Sequence, residues 1–365
     1  MFNVRALRFS AWSGLLLSAL LIISCSVKPP PAQGVLDEKI WIQYRQAFIS
    51  DDGRVIDHGN QGITHTEGQG YGMILAVAAN DRHTFDALWA WTQKNLQREG
   101  DALFSYRWDP GAPPPIQDAN NASDGEILIA WALLRASERW HVEGYKKDAL
   151  HLIDTIDQML VRPSPIGDIL LPGVFGFERS NYTLINPSYW IFPAFQAFER
   201  STASATWRNL RESGLKLLEH ARFGKARLTP DWVRLHDDGR MTLDSVLSSR
   251  FGFDAVRIPL YSCWGGVEDQ SLLEAISAQW SQSSNPAWID LRTEQGAPYP
   301  LTPSQRAMQQ FVQRCLNPNA GSLRQPLGSV IPQDYYASTL ALLGGIALQE
   351  RFPELAHAGI TQAKH

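Results

Sequence analysis

From about residue 36 onward, the sequence consists mainly of segments whose apolar residues recur at helical spacing. In one of them, Ile127, Ala130 and Trp131 fall on the same side of a predicted helix. No segment alternates clearly between apolar and polar residues, and only 102–108 and 168–177 are predicted as short extended pieces. Helices of modest length, joined by loops of varied size, predict an all-α toroid of helical hairpins rather than a four-helix bundle. The predicted helices span residues 37–49, 67–80, 82–98, 123–140, 143–161, 187–200, 205–221, 245–258, 268–282, 303–316 and 334–350.

The composition argues against one class of partner and points to another. The 365-residue chain carries 33 Lys and Arg residues against 37 Asp and Glu residues, and it contains no block of basic residues. Because phosphate binding needs a concentrated positive face, nucleic acid is not an expected partner. The 13 Trp residues exceed what a core usually requires, although we expect more than half of them to lie in the core. The flat apolar faces of the others suit the faces of sugar rings.

The N-terminus has the pattern of an export signal. In residues 1–25, Arg5 and Arg8 precede an apolar stretch that is too short to span a bilayer as a mature helix. The stretch ends at Cys25 in a pattern that resembles the bacterial lipobox, so we expect either lipidation of Cys25 or ordinary cleavage nearby. The Pro-rich residues 26–35 predict a semi-rigid tether. The expected location is periplasmic or secreted, with the membrane contacted only through that lipid anchor.

Two cysteines remain beyond the export signal, Cys263 and Cys315. In an oxidising compartment they could pair, but two buried thiols fit the sequence equally well.

Glu67 stands among three glycines, Gly68, Gly70 and Gly72, directly before an apolar run. Glycine leaves room for close approach to the backbone, and a carboxyl at the mouth of a buried helix is partly desolvated. Desolvation raises a carboxyl pKa, which suits a general acid. The alternative is a capping box formed by Thr64 and Glu67, in which the carboxylate only satisfies a backbone N–H.

A second carboxylate, Asp124, lies at the start of the predicted helix 123–140. Ser123 and Glu126 have the spacing of a capping box, which is the structural explanation for this polar cluster. The cluster nevertheless holds more polar groups than a cap needs. We expect the helix dipole to lower the pKa of Asp124 and to keep it ionised.

Asp254 and Arg257 are three residues apart and can meet on one helix face. A neighbouring guanidinium favours the ionised carboxylate, which suits a general base, and a plain structural ion pair is the alternative. The neighbouring Phe251, Phe253 and Val256 indicate that the pair is not fully solvated.

Aromatic residues follow polar ones at two further predicted helix starts. Tyr189 follows Asn186, and Tyr335 and Tyr336 follow Asp334, so their hydroxyls could line a cleft or be satisfied in the core. No His-x-x-x-His or Cys-x-x-Cys pattern occurs, so we expect no metal and no cofactor.

Together these motifs resemble glycoside hydrolase family 8, over roughly residues 36–350. The residues that carry the resemblance are Thr66-Glu67-Gly68-Gln69 with Tyr71-Gly72-Met73, Ala122-Ser123-Asp124-Gly125 leading through Ala130 and Leu133 to Trp140, Asn186-Pro187-Ser188-Tyr189, Pro230-Asp231-Trp232 and Asp254-Ala255-Val256-Arg257. The resemblance implies an (α/α)6 barrel, a β-1,4-glucan such as cellulose as substrate, and inverting hydrolysis. It also implies a place beside the bacterial cellulose synthase and export machinery.

The resemblance also implies a role for each matching residue. Glu67 corresponds to the proton donor, Asp254 to the base, and Asp124 to the aspartate that holds the sugar ring and water. The residues implied to bind substrate are Tyr189 and Arg257 beside the water, and Trp108, Tyr335 and Tyr336 as sugar platforms. Residues 36–350 are thus the expected catalytic domain, and 351–365 form a C-terminal tail.

Two departures from the family pattern are present. The signature usually has Asp where Glu126 stands, so a sugar contact there is expected to differ, and Arg250-Phe251-Gly252-Phe253 is an unusual lead-in to Asp254. The rival hypotheses are the same fold acting on xylan or chitosan, a non-catalytic glucan-binding lipoprotein, and a helical scaffold that binds only protein.

Overall fold

The computed structural model describes residues 36–267, 269–319 and 330–353. The predicted export signal, lipidation site and tether fall on residues 1–35, and most of the predicted tail falls beyond residue 353. These predictions therefore lie outside the described residues. No helix in the described ranges is long and apolar enough to cross a membrane.

The described residues form eleven α-helices, so the predicted all-α class is confirmed. The helices are α1 Glu38–Phe48, α2 Thr66–Ala78, α3 Arg82–Leu96, α4 Ser123–Trp140, α5 Glu143–Leu160, α6 Phe192–Thr202, α7 Ala205–His220, α8 Ile258–Trp264, α9 Gln270–Trp280, α10 Pro303–Leu316 and α11 Tyr335–Arg351. Helices α2, α4, α6, α8 and α11 pack against one another in that order, and α11 returns to α2. This closed ring is the core of the molecule, and its helix termini carry the polar residues discussed below.

Helices α2 and α4 make the tightest contact in the ring. Every residue of α2 except Glu67 is buried. A Cβ on Gly70 would lie 2.5 Å from Cβ of Leu128, and a Cβ on Gly125 would lie 2.1 Å from Oγ1 of Thr66. Glycine at these two positions therefore allows the N-terminal halves of the two helices to touch. As a result, the starts of the two helices, with Glu67 and Asp124, lie side by side.

Short antiparallel strands join the helices. The predicted extended pieces are confirmed in part, by β2 Arg107–Trp108 and β4 Ile169–Leu170. Their partners are β1 Thr64–His65 and β3 Val161–Arg162, and β8 Arg250–Phe251 pairs with β9 Ile289–Asp290. The sequence did not predict the three-stranded sheet of β5 Tyr182–Ile185, β6 Val233–His236 and β7 Met241–Leu243. Strands of two to four residues are too short to produce a readable alternation.

The predicted helix 245–258 is wrong. Its middle is strand β8, followed by a short 3-10 turn, Ala255–Arg257, and only then by α8. The side chain of Asp231 binds the backbone N–H groups of Gly252, Asp254 and Ala255, so these groups cannot serve a helix that begins earlier. The predicted helix 187–200 likewise divides into a 3-10 turn, Pro187–Tyr189, and helix α6.

Cys263 and Cys315 form a disulfide between α8 and α10, which resolves the two alternatives that the sequence left open. The bridge ties the helix that directly follows Arg257 to the outer layer of the fold.

Candidate active site

Glu67 is the second residue of α2, in its first turn. The cap of this helix is His65, whose Nδ1 accepts from the N–H of Gly68 at 3.0 Å, so the capping box predicted for Thr64 and Glu67 is wrong. Oε1 of Glu67 instead accepts from the hydroxyl of Tyr71 at 3.1 Å and contacts Arg257. With 14% of its side chain exposed, Glu67 is largely buried but remains accessible to solvent. These contacts favour a role in chemistry over a role as a cap.

Asp124 occupies the second position of α4. The capping box predicted for Ser123 and Glu126 is also wrong, because the cap residue is Ala122 and makes no side-chain bond. Oδ1 of Asp124 accepts from the N–H of Gly125 at 2.8 Å. Burial nevertheless raises the pKa of Asp124 to about 6, so the expectation of a lowered pKa is wrong. Loss of hydration outweighs the helix N-terminus here.

Glu126 does not take part in the site. It is fully buried, and its Oε1 accepts from the N–H of Phe104 at 2.9 Å. Glutamate at this position therefore holds the loop before β2, which agrees with the expectation that a sugar contact here differs from the family pattern. Burial raises its pKa well above the usual range.

Arg257 joins the three predicted carboxylates. Its Nη2 donates to Oδ1 of Asp254 at 3.0 Å, and its Nη1 lies 3.4 Å from Oδ2 of Asp124 and contacts Glu67. The guanidinium is 5% exposed, so it is shared among three acids with little help from water. The structure thus brings together Glu67, Asp124 and the Asp254–Arg257 pair, which lie in three separate parts of the sequence.

About two thirds of the Asp254 side chain is buried, although it is more exposed than Glu67 and Asp124. Burial, followed by the negative charges of Asp231 and Asp124, raises its pKa to about 8. The expectation that Arg257 keeps this group ionised through a lowered pKa is wrong, because burial and the charges of Asp231 and Asp124 dominate the shift. A group with this pKa has a high affinity for a proton.

Three further residues of the site were not predicted. Nδ2 of Asn186 donates to Oδ2 of Asp254 at 3.1 Å, and Oγ of Ser188 accepts from Nη2 of Arg257 at 2.8 Å and donates to Oδ1 of Asn186 at 2.7 Å. Asp231 accepts hydrogen bonds from backbone N–H groups of the turn that carries Asp254. All three stand in motifs that carried the family resemblance, and this was the available signal for them.

The aromatic residues predicted to bind substrate, Tyr189 beside the water and Trp108, Tyr335 and Tyr336 as sugar platforms, separate into two groups. Tyr189 and Trp108 are half-buried, and Tyr336 donates from its hydroxyl to the carbonyl of Phe253 at 2.8 Å. Tyr335 is only 2% exposed, and its ring packs against Phe48 and His65. Because it has no free ring face, its predicted role as a platform is wrong.

A cleft of about 500 Å³ opens beside Tyr189. It is lined by aromatic rings and polar side chains, including Tyr106, Asn120, Tyr182 and Trp232. The Tyr189 ring also lies with its centroid 5.7 Å from the guanidinium of Arg257, so this residue connects the cleft to the acids. Another cavity, of about 410 Å³, opens between α1 and α3 beside Arg45 and His83, away from the acids. In the described ranges, no group of His, Cys, Asp and Glu has the arrangement of a metal site.

Comparison with known proteins identifies the family. The family model described as "Glycosyl hydrolases family 8" matches residues 6–350. The chain belongs to glycosyl hydrolase family 8. It is 43% identical over 263 residues to an endoglucanase of Cellulomonas uda, covering 71% of this chain and 73% of that protein. It is 38% identical over 317 residues to a probable endoglucanase of Novacetimonas hansenii, covering 85% and 90%.

A solved structure supports the same conclusion. The family 8 endoglucanase of Klebsiella pneumoniae superposes with a TM-score of 0.79 at 38% identity, covering 86% of this chain and 99% of that chain. The family 8 endoglucanases among the structural neighbours of this chain are (α/α)6 barrels, which confirms the predicted architecture. The chain is therefore a glycoside hydrolase, and its acids lie at one rim of the ring of buried helices.

Proposed function

We propose that this family 8 enzyme is an endo-β-1,4-glucanase that cleaves cellulose-type chains with inversion. The observation that carries the proposal is the meeting of Glu67, Asp124 and Asp254 on one guanidinium, beside a cleft lined by aromatic rings. The endoglucanase names of the relatives support the choice of substrate.

Glu67 is proposed to protonate the glycosidic oxygen. Its Oε1 is engaged by Tyr71 and Arg257, whereas its Oε2 lies 3.7 Å from Nδ1 of His65, beyond hydrogen-bond distance, so Oε2 is the atom proposed to carry the proton. A carboxyl that is largely withdrawn from water is suited to this transfer.

Asp254 is proposed to take a proton from the attacking water. Its high proton affinity makes it a strong base, and the bonds from Asn186 and Arg257 fix the carboxylate plane. Inversion requires about 6.5–9.5 Å between the two carboxyl groups, so that the water fits on the far side of the sugar, whereas retention requires about 5–5.5 Å. Asp124 would hold the distorted sugar ring by accepting hydrogen bonds from the hydroxyl groups of the sugar.

The direct test is hydrolysis of carboxymethylcellulose, followed by viscosity and by NMR of the newly formed ends. We expect a rapid fall in viscosity and α-anomers as the first products. Glu67→Gln should abolish cleavage and keep the fold, and Asp254→Asn should lose turnover while retaining glucan binding. Initial β-anomers would disprove inversion. Because the proposed chemistry uses side chains and water alone, a chelator should leave the rate unchanged.

Rival functions predict different results in the same assays. Release of products from xylan or chitosan, with none from the glucan, would show that the substrate is that other polymer. In a glucan-binding protein without activity, cello-oligosaccharides would quench the Trp fluorescence, and Glu67→Gln would leave this quenching unchanged. A scaffold for proteins would show no quenching.

We also propose that the enzyme is exported and works in the periplasm beside the cellulose-synthesis machinery, either trimming chains or assisting export. The support is the pattern of residues 1–25 and the resemblance of the sequence. Metabolic labelling with a fatty acid, compared between the natural chain and Cys25→Ala, tests the anchor. Loss of the label in the variant is expected if Cys25 is lipidated.

A further inference from the structure

Asp231 is a buried carboxylate whose partners are mainly backbone groups. Its Oδ1 accepts from the N–H groups of Gly252, Asp254 and Ala255 at 3.1, 3.1 and 2.8 Å, and its Oδ2 accepts from Oγ of Ser248 at 2.9 Å. The residue is 7% exposed. Among the ion pairs of the described residues, none joins it to Lys, Arg or His. Burial raises the pKa of Asp231, and the hydrogen bonds to its carboxylate offset part of that rise.

The backbone before Asp254 wraps closely around this carboxylate. A Cβ on Gly252 would lie 2.7 Å from Oδ2 of Asp231, so only glycine fits without displacing the acid. The N–H of Asp254 is bound directly, and the N–H of Arg257 bonds the carbonyl of Asp254 at 3.1 Å. The contact with Asp231 therefore fixes the starting point of the turn that carries both Asp254 and Arg257.

From this geometry we infer that Asp231 is a positioning residue for Asp254: it anchors the backbone of the base, and its buried negative charge strengthens the base. The inference rests on the proposed role of Asp254. A stronger base takes the proton of water more readily, and in return it must be ionised at a higher pH.

The charges around Asp254 are consistent with this inference. The charged or titratable groups that face it, from each surrounding element, are Arg257, Asp124, Asp231, Tyr189, Tyr336 and, through the guanidinium, Glu67. After burial, the charge of Asp231 is the largest cause that raises the pKa of Asp254. Removal of that charge should make Asp254 ionise at a lower pH.

The chain offers a matched control in Asp290. Its Oδ1 accepts from the N–H groups of Arg292 and Thr293, each at 2.9 Å, and its Oδ2 accepts from Oγ of Ser249 at 2.7 Å. The pattern of bonds is nearly the same, and the serine is the next residue in the chain. Asp290 is not among the main charges that shift the pKa of Asp254.

The experiment compares the pH dependence of kcat/KM for Asp231→Asn, Asp290→Asn and the natural enzyme on a soluble cello-oligosaccharide. Asparagine keeps Oδ1 for the three N–H groups and removes the charge. We expect the acidic limb of Asp231→Asn to move to lower pH by about one pH unit, because one like charge near the base is gone. The plateau kcat should fall because the base is weaker, KM should stay the same, and Asp290→Asn should match the natural profile.

A folded Asp231→Asn variant whose acidic limb coincides with that of Asp290→Asn would overturn the inference. Failure of the proposed function would give a different result, because Asp254→Asn would then keep full turnover.

If Asp231→Asn does not fold, Gly252→Ala tests the same contact, since the added methyl group displaces the carboxylate. Its kcat should fall about 10-fold or more at constant KM, because small displacements of a reacting group are costly. An unchanged kcat would overturn the inference.

Discussion

Nη2 of Arg257 lies 3.0 Å from Oδ1 of Asp254, and the other end of the same guanidinium contacts Glu67 and Asp124. One cation therefore faces three carboxylates in a poorly hydrated site. Like charges that share a site cannot all ionise at their ordinary pKa, so protons are retained here at a pH where exposed acids have lost them. The proposed chemistry needs one such proton on the donor and one ionised base.

The shared guanidinium leads to a prediction for Arg257→Lys. A lysine keeps the positive charge but has a single ammonium group, which cannot hold Asp254 with one nitrogen and Glu67 with another. We expect kcat to fall about 100-fold, since the reacting groups lose their fixed geometry. Steady-state kinetics on a cello-oligosaccharide measure this.

The control for Arg257→Lys is Arg211→Lys. Arg211 donates from Nη1 to Oε2 of Glu199 at 2.9 Å, and it lies on the outer helix α7. Its variant should keep the natural kcat. Equal rates for the two variants would show that charge alone suffices at Arg257.

The acidic limb of the rate profile should lie far above the range of ordinary carboxyl groups. Burial, together with Asp231 and Asp124, raises the pKa of Asp254 from 3.8 to about 8, and burial raises that of Asp124 to about 6. A base acts only when ionised, so kcat/KM should rise with pH between about 6 and 8. Measurement of kcat/KM from pH 4 to 10 at constant ionic strength tests this. A limb centred near pH 4 would contradict it.

The sequence predicted the long helices well because their apolar period and their ends are local signals. Helix α4 begins and ends where it was predicted, at Ser123 and Trp140, and α10 does the same at Pro303 and Leu316. The approach of α2 to α4 was not predictable from either helix alone. It depends on which glycine faces which side chain, as Gly125 faces Thr66.

The region around Asp254 could not be predicted for a different reason. Its backbone bonds go to Asp231 and to strand β9, and both partners are remote in the sequence. A helical period in 245–258 was therefore overridden by tertiary contacts. The raised pKa of Asp254 was not predicted for the same reason. The charges that raise it belong to Asp231 and Asp124, which are remote in the sequence, whereas the nearby Arg257 suggested a lowered pKa.

Stability should also depend on the protonation of Asp254. Its pKa is about 8 in the folded protein, against an ordinary value of 3.8 for an exposed aspartate, so the folded state binds this proton more tightly than the unfolded chain does. The fold consequently loses stability as the pH rises between these two values. Asp254→Asn is neutral throughout, so the melting temperature of the variant relative to the natural enzyme should be higher at pH 9 than at pH 4. Thermal unfolding at the two pH values tests the sign.

Asp238→Asn is the control for that measurement, since the side chain of Asp238 is 65% exposed and lies on a surface turn. It should not show the gain at pH 9. An Asp254→Asn variant whose relative melting temperature is the same at both pH values would contradict the raised pKa in the folded state.

The last prediction concerns the contact between α2 and α4 that places Glu67 beside Asp124. In Gly125→Ala, the new Cβ would lie 2.1 Å from Oγ1 of Thr66 and 2.9 Å from the N of Glu67, so α2 must shift. We expect a loss of about 1–3 kcal/mol in unfolding free energy, as for other overpacked sites, together with a lower kcat. Urea unfolding and steady-state kinetics measure the two effects.

Gly345→Ala on α11 is the matched control, because nothing lies within 4 Å of its added Cβ. That variant should be more stable by about 0.5–1 kcal/mol, since alanine favours a helix interior over glycine, and its kcat should be unchanged. If Gly125→Ala behaved like Gly345→Ala, the spacing of α2 and α4 would not be what brings the two carboxylates together.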